Sequence, residues 1–314
     1  MTTLYIVVPC YNEEEVLPET STRLREKLGG LIDAGTISDE SRILFVDDGS
    51  RDNTWPMIAD LHRTDRHFSG LKLSRNRGHQ NALLAGLMAA KERADVSISM
   101  DADLQDDIEA VDGMLEKYRE GCQIVYGVRS NRSSDTAFKR STAQGFYKFM
   151  ELLGVHVVYN HADYRLMSKT ALEALEGYRE VNLFLRGIVP LLGYKTATVE
   201  YRRGERFAGE SKYPLKKMLA FAFDGITSFS VKPIRLVTSL GFFIFTLSVA
   251  AAIAALVFYL LGYRLPEWTA LMLSVWALGG LQLLGIGMIG EYIGKIYGEV
   301  KARPRYHVED LLGD

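Results

Sequence analysis

Two carboxylates two residues apart, Asp101 and Asp103, follow the apolar run VSISM at residues 96–100. If the chain turns there, both carboxylates can reach into one pocket. Oxygen ligands of this kind suit Mg²⁺ or Mn²⁺, which can also bridge to phosphate oxygens. The alternative is a helix N-cap, because Asp caps helices well and a helical pattern follows. The strand before the pair favours the metal site.

Two further strand ends carry polar groups. Asp47 and Asp48 end an apolar run, and one of them could accept a hydrogen bond from a base or a ribose, or cap a turn. PCYNE at residues 9–13 offers an aromatic ring and an amide beside a carboxylate. Ligands of parallel α/β sheets bind beyond the carboxyl ends of the strands. Three such ends with acceptor groups fit a nucleotide and a metal ion.

Strand and helix patterns alternate over the first 130 residues and must position these groups. The predicted strands are Leu4 to Pro9, Ile43 to Val46, Leu71 to Leu73, Val96 to Met100 and Gln123 to Gly127. The predicted helices are Glu13 to Leu28, Thr54 to His62, Gln80 to Arg93 and Ile108 to Tyr118. This order favours an α/β domain with a mainly parallel sheet covered by helices. A helix over Ser133 to Leu153 and a strand over Lys195 to Tyr201 are predicted to follow.

Two stretches near the C-terminus, residues 236–263 and 268–290, contain no charged residue. A membrane-spanning helix needs roughly 20 apolar residues, so both stretches qualify. A pair of buried core helices is the alternative, but soluble helices rarely run this long without a polar face. We therefore expect a two-helix transmembrane hairpin. Residues 215–235 before it predict an amphipathic juxtamembrane segment, or a helix packed on the sheet.

The charges around the hairpin predict its orientation. Basic residues precede the first span and follow the second; they are Lys232, Arg235, Lys295, Lys301, Arg303 and Arg305. The positive-inside rule then places the domain of residues 1–214 and the tail of residues 291–314 in the cytoplasm. The segment Met1-Thr2-Thr3 has no basic n-region, so no cleavable signal peptide is expected.

The composition argues against several other classes of protein. Lys plus Arg total 37 and Asp plus Glu total 39, whereas a general nucleic-acid binder shows a basic excess. The two cysteines, Cys10 and Cys122, lie far apart without metal-ligand spacing. A disulfide-stapled secreted module and a zinc finger are therefore not expected.

Several motifs occur in a fixed order along the chain. VPCYNE (8–13), VDDGS (46–50), NRGHQNALLAGL (76–87) and MDADLQDD (100–107) together resemble the inverting glycosyltransferases of family 2, which bind nucleotide sugars on a GT-A fold. DYRLMSK (163–169), RFAGESKY (206–213) and the hairpin resemble the polyprenyl-phosphate branch, with dolichol-phosphate mannose synthase and bacterial undecaprenyl-phosphate glucosyltransferases. The implied fold is a Rossmann-like GT-A domain with a C-terminal transmembrane hairpin.

The resemblance implies a role for each matching residue. The residues that would contact the nucleotide sugar are Pro9, Tyr11, Asn12, Glu13, Asp48, Asp101 and Asp103. Mg²⁺ or Mn²⁺ would be held by Asp103 and Gln105, with Asp101. The acceptor and the diphosphate would be contacted by Arg129, Arg206, Ser211 and Lys212. Asp103 and Asp163 would be the catalytic carboxylates. Asp163 would position the acceptor or take a proton, and a salt bridge to Arg165 or another nearby cation is its structural alternative. The resemblance leaves His79 without a definite role, since the family often has Phe-Gly-Lys there.

The implied reaction moves a hexose, with inversion, from a nucleotide sugar to undecaprenyl phosphate for envelope glycans. UDP-glucose is the favoured donor, and UDP-N-acetylglucosamine and GDP-mannose are alternatives. The resemblance also implies a homotetramer packed through the hairpins at a bacterial inner membrane. Two other classes stay open: a phosphatase of the haloacid dehalogenase type, and a non-catalytic membrane protein that binds sugar lipids. Gln105 stands where those phosphatases usually have Thr or Val, and the intact acidic motifs argue against the non-catalytic protein.

Overall fold

A computed structural model describes residues 1–129, 161–181, 183–202 and 269–313 of the chain, together with residues 239–244 and scattered single positions between 234 and 261. Several predicted features lie outside these residues: the helix over Ser133 to Leu153, nearly all of the segment 215–235, and the phosphate-binding candidates Arg206, Ser211 and Lys212. The described residues form an eight-stranded sheet with helices on both faces.

The sheet is mixed, with a parallel centre. Its strands are β1 (Leu4–Cys10), β2 (Arg42–Asp47), β3 (Phe68–Leu73), β4 (Val96–Ser99), β5 (Ile124–Arg129), β6 (His161–Ser168), β7 (Thr196–Tyr201) and β8 (Val308–Leu312), in the order β7-β5-β6-β4-β1-β2-β3-β8. The run from β4 through β1 and β2 to β3 is parallel, and so is the β5–β7 pair. By contrast, β6 is antiparallel to β4 and β5, and β8 is antiparallel to β3.

Helices cover both faces of this sheet. They are α1 (Leu17–Asp33), α2 (Thr54–Thr64), α3 (His79–Lys91), α4 (Ala110–Arg119), α5 (Lys169–Glu176) and α6 (Leu185–Leu191), followed by the long α7 (Thr269–Lys301). One core lies under α1, α2 and α4, and the other lies under α3, α5 and α6. Every residue of β1 is buried. Near-continuous apolar runs such as LYIVV are typical of strands that are covered on both faces.

The strands that the sequence predicts are present, but two others are not signalled by any apolar run. Polar and apolar residues mix in β6, HADYRLMS, although its described side chains, from Asp163 to Ser168, are buried. The second is β8, which adds to the edge of β3 within the predicted C-terminal tail. The helix before it continues past the predicted end at Gly290 to Lys301.

The two predicted membrane spans differ in how much of them the structure describes. Most of residues 236–263 lies outside the described residues, whereas α7 covers nearly all of residues 268–290. Within the described part of the chain, we find no helix that combines the length and the apolarity needed to cross a bilayer.

The close packing of α3 on the sheet depends on Gly86. An added Cβ there would lie 2.4 Å from Val7 Cγ1 and 2.6 Å from Val46 Cγ2. Valine side chains are branched at Cβ and have few allowed rotamers, so they cannot easily move away from an added Cβ. We therefore expect Gly86→Ala to lower the free energy of unfolding by about 1–3 kcal/mol. Gly30 in α1 is the matched control, since nothing lies within 4 Å of its added Cβ. Gly30→Ala should raise stability by about 0.5–1 kcal/mol, and equal urea midpoints for the two variants would contradict this packing.

Candidate active site

The carboxyl ends of β1, β2 and β4 meet at one edge of the sheet. There the Asp48 N–H donates to the carbonyl oxygen of Cys10 at 2.9 Å, and Asp101 follows shortly after β4. Because β6 runs in the opposite direction, its first residues, rather than its last, reach this edge. Asp163 therefore joins Asp48 and Asp101, and the Ser99 hydroxyl donates to its carbonyl oxygen.

His79, the first residue of α3, lies between two carboxylates. Its Nε2 is 3.0 Å from Asp101 Oδ1, and its Nδ1 is 4.0 Å from Asp163 Oδ2. Burial lowers the pKa of His79, but the hydrogen bond to Asp101 and the charges of Asp101 and Asp163 outweigh it and raise the pKa to about 9. An imidazolium cation at neutral pH therefore joins the two carboxylates.

Asp163 also holds two arginines. Its Oδ1 lies 2.7 Å from Arg165 Nη2, and its Oδ2 lies 3.1 Å from Arg186 Nη2. The side chain of Arg165 is only 1% exposed and that of Asp163 7%, whereas 31% of Arg186 is exposed. Burial raises the pKa of Asp163, but the charges of Arg186 and Arg165, and then of His79, outweigh it and hold the pKa well below its usual range. The structural alternative predicted for Asp163, a salt bridge to Arg165 or another nearby cation, is thus present with both Arg165 and Arg186.

Arg186 and Gln80 are the residues of this cluster that sequence reasoning missed. The Leu185 N–H donates to Gln80 Oε1 at 2.9 Å, so α3 positions the start of α6 and with it Arg186. A signal was available for both. Gln80 lies in the motif NRGHQNALLAGL, and Arg186 is the one charged residue in the apolar run at residues 183–192.

The predicted metal ligands lie on the loop after β4. The Gln105 N–H donates to Asp103 Oδ1 at 3.2 Å, and the Asp101 side chain is 41% exposed. Leu104 has a φ of 56°, in the left-handed region that disfavours branched side chains. The loop is therefore held in its shape by contacts elsewhere.

One such contact is the buried carboxylate of Asp106. The Tyr201 hydroxyl donates to Asp106 Oδ1 at 2.6 Å, and Arg129 Nε donates to the same hydroxyl at 3.3 Å. Burial, and then the charge of Asp101, raise the pKa of Asp106 to about 6. The ends of β5 and β7 thus fasten the loop, and the predicted phosphate ligand Arg129 lies beside it.

The oxygen groups on this loop fit a divalent cation that a substrate also binds. Among the described residues, no three His, Cys, Asp or Glu side chains are grouped to hold a metal ion. Mg²⁺, however, is usually held by one or two carboxylates plus substrate phosphates and water. Asp101 and Asp103, both half-buried at the open edge, match that requirement.

The predicted nucleotide-binding segment after β1 is fastened to the loop after β2. The Asn12 N–H donates to Ser50 Oγ at 2.9 Å, and the Glu13 N–H donates to Thr54 Oγ1 at 2.9 Å. Asn12 has a φ of 54°. Pro9 is buried at the end of β1, and Tyr11 is half-buried beyond it. The structure places these residues at the site edge, and their contacts to a nucleotide stay a prediction.

Asp48 shapes the same edge through the backbone. Its two carboxylate oxygens accept hydrogen bonds from the N–H groups of Arg77, at 2.6 Å, and Gly78, at 2.9 Å. Gly49 beside it has a φ of 67°, and an added Cβ would lie 2.6 Å from the carbonyl carbon of Arg75. Asp48 therefore positions the entry to α3, and its contact to a base or ribose stays a prediction.

Comparison with known proteins identifies the class of enzyme to which this mixed α/β sheet and its acidic edge belong. Residues 5–176 match the sequence model of glycosyl transferase family 2. The chain belongs to that family and is a glycosyltransferase. This result favours glycosyl transfer over the phosphatase alternative.

Relatives extend the match over nearly the whole chain. The chain is 59% identical over 312 residues to YkoT of Bacillus subtilis (strain 168), described as an uncharacterized glycosyltransferase, covering 99% of this chain and 93% of the relative. It is 40% identical over 309 residues to the SfII prophage-derived bactoprenol glucosyl transferase of Shigella flexneri, and the match covers 97% of this chain and 96% of that relative. A structure of glucosyl-3-phosphoglycerate synthase from Mycobacterium tuberculosis with Mn²⁺, UDP-glucose and phosphoglyceric acid has 17% identity and a TM-score of 0.42, over 72% of this chain and 78% of that one.

Proposed function

We propose that this glycosyltransferase transfers glucose, with inversion, from UDP-glucose to undecaprenyl phosphate. The observation that carries the proposal is the cluster at the sheet edge, where cationic side chains of α3, β6 and α6 surround the Asp163 carboxylate. Such a site suits two anionic substrates that must meet without repelling each other. The name of the Shigella flexneri relative supports glucose as the sugar and a polyprenyl lipid as the acceptor.

On the donor side, negative charge develops on the departing nucleoside diphosphate. Asp103 and Gln105, with Asp101, would hold Mg²⁺ or Mn²⁺, which supplies Lewis-acid stabilisation of that charge when bound. Arg129 lies beside this loop through its hydrogen bond to Tyr201. A guanidinium suits bidentate contact with phosphate, so we assign Arg129 to the diphosphate.

On the acceptor side, an oxygen of the lipid phosphate attacks the anomeric carbon as the bond to the diphosphate breaks. This phosphate is largely ionised at neutral pH because its second pKa is near ~6. The reaction therefore needs no strong general base. Asp163 would be a poor one, since its arginine partners outweigh burial and hold its pKa well below the usual range. We infer that Asp163 positions His79 and Arg186 for the acceptor phosphate.

The C-terminal part of the chain supports an acceptor that resides in a membrane. Large apolar side chains are exposed along α7, including Val275 at 60%, Leu283 at 72% and Ile286 at 66%. An exposed apolar surface of this extent indicates contact with lipid or with another apolar surface. We therefore place the predicted hairpin in the bacterial inner membrane, with the catalytic domain and both termini in the cytoplasm. A homotetramer packed through the hairpins completes the proposal.

Transfer assays with the full chain in membranes test the function. We expect label to pass from UDP-glucose to undecaprenyl phosphate, and EDTA to abolish the transfer until Mg²⁺ or Mn²⁺ is restored. UDP-N-acetylglucosamine and GDP-mannose serve as competing donors. If only one of these competing donors labelled the lipid, that nucleotide sugar would replace UDP-glucose as the proposed donor. No labelling by any donor, with the protein folded, would overturn the proposal.

A further inference from the structure

The end of α7 is fastened to the catalytic domain at several points. Glu299 Oε2 accepts a hydrogen bond from the Val181 N–H at 2.8 Å, and Arg305 Nη1 donates to the Tyr178 carbonyl oxygen at 3.1 Å. Beyond the helix, Tyr306 packs against the core under α3, α5 and α6. The chain then adds β8 to the edge of the sheet. The helix end is therefore part of the domain rather than a free linker.

These contacts fall on the connection that leads into the active site. Tyr178 and Val181 lie between α5 and α6, and Arg186 follows in the first turn of α6. Arg186 binds Asp163 with two nitrogens, Nε at 3.3 Å and Nη2 at 3.1 Å. A shift of the α5–α6 connection would therefore move a guanidinium that touches the central carboxylate.

Glu299 is poorly placed for the stability of its own helix. It lies in the last turn of α7, where the partial negative charge of the helix dipole disfavours a carboxylate. Its contact with the Val181 N–H crosses 118 positions of sequence. Glu299 destabilises its own helix end but binds a residue far away in sequence. Its role is therefore in the tertiary contact with Val181.

We propose that Glu299 is a positioning residue for transfer, which acts by holding the α5–α6 connection so that Arg186 stays on Asp163. This inference rests on the proposed function in one respect, that the acceptor phosphate is the group that Arg186 and Asp163 receive. The arrangement ties the acceptor side of the site to the helix whose apolar surface we place at the lipid. The donor side, on β1, β2 and β4, is not part of this connection.

Hydrogen–deuterium exchange of the full chain tests the positioning step without relying on activity. Glu299→Ala should speed exchange in residues 178–186, and Glu299→Gln, which keeps an acceptor oxygen, should restore most of the protection. Glu291 is exposed on the same helix, so Glu291→Ala is the matched control and should leave this region unchanged. Unchanged exchange in Glu299→Ala would overturn the proposal, whatever the enzyme transfers.

Kinetics of glucosyl transfer test the consequence. We expect Glu299→Ala to lower kcat/KM for undecaprenyl phosphate by about 10- to 100-fold, since a small misplacement far from the chemistry can have an effect of that size. KM for UDP-glucose and the thermal midpoint should not change. In an Arg186→Ala background the further loss of kcat/KM should be small, because Glu299 is proposed to act through the contact of Arg186 with Asp163. An equal loss in both backgrounds would refute action through Arg186, whereas no transfer by the unmodified chain would refute the proposed function alone.

Discussion

Asp163→Asn is expected to lower both stability and transfer. The side chain of Arg165 is 1% exposed and depends on the Asp163 carboxylate at 2.7 Å for its charge partner. Leaving a buried charge without its partner costs about 3–5 kcal/mol of folding free energy. Transfer should fall by about 100-fold, since His79 and Arg186 lose the group that positions them.

Urea unfolding and transfer from UDP-glucose measure the two effects. Asp112→Asn is the matched control, because Asp112 pairs with Lys27 at 2.6 Å but its side chain is 55% exposed. A surface pair of this kind contributes about 0–1 kcal/mol. If Asp163→Asn were as stable and as active as Asp112→Asn, the ion pairs of Asp163 would contribute neither to folding nor to transfer.

The difference in the free energy of unfolding between the original chain and Asp163→Asn should also depend on pH, and it should decrease only at acidic pH. Burial raises the pKa of Asp163, but Arg186 and Arg165 hold it well below the usual range in the folded state. The contribution is therefore fully present above the unfolded pKa of about 3.9 and is lost as pH falls through the folded value. The difference between the original chain and Asp163→Asn should persist from neutral pH down to about pH 4. A difference that vanished at pH 6 would contradict the assignment.

Asp103→Asn is expected to reduce metal-dependent transfer by about 100- to 1,000-fold, the effect of losing one group that stabilises the charge of a transition state. The half-buried side chain lies at the open edge, so stability should change by less than about 0.5 kcal/mol. More Mg²⁺ or Mn²⁺ should be needed for half-maximal transfer. The physical reason is that a neutral amide binds a hard cation more weakly than a carboxylate does.

Asp107→Asn, in the same loop, is the control for this experiment. Its Oδ1 accepts from the Glu109 N–H at 3.0 Å, and asparagine can replace it there. We expect near-normal transfer and unchanged metal dependence. Full activity and unaltered metal dependence in Asp103→Asn would remove Asp103 from the site and leave the metal to other ligands.

Local sequence patterns are enough to predict the centre of the fold and the edge of the sheet at which Asp48 and Asp101 lie. The predicted strands over residues 4–9, 43–46 and 96–100 correspond to β1, β2 and β4, because buried parallel strands read as short apolar runs. Polar residues follow each run directly, so the sequence pattern assigns the carboxylates Asp48 and Asp101 to one edge of the sheet. Both signals are local, since a strand and the residue after it are neighbours in the chain.

The cluster around Asp163, which we propose as the acceptor side, depends on contacts that the sequence pattern does not reveal. β6 carries Asp163 and Arg165 into the sheet without an apolar run, and its antiparallel direction brings its first residues to the edge where β4 ends. Arg186 reaches Asp163 from α6, and Glu299 reaches Val181 from α7. These contacts join residues far apart in sequence, and hydrophobic periodicity reports only the environment of a segment, not which distant segment it meets.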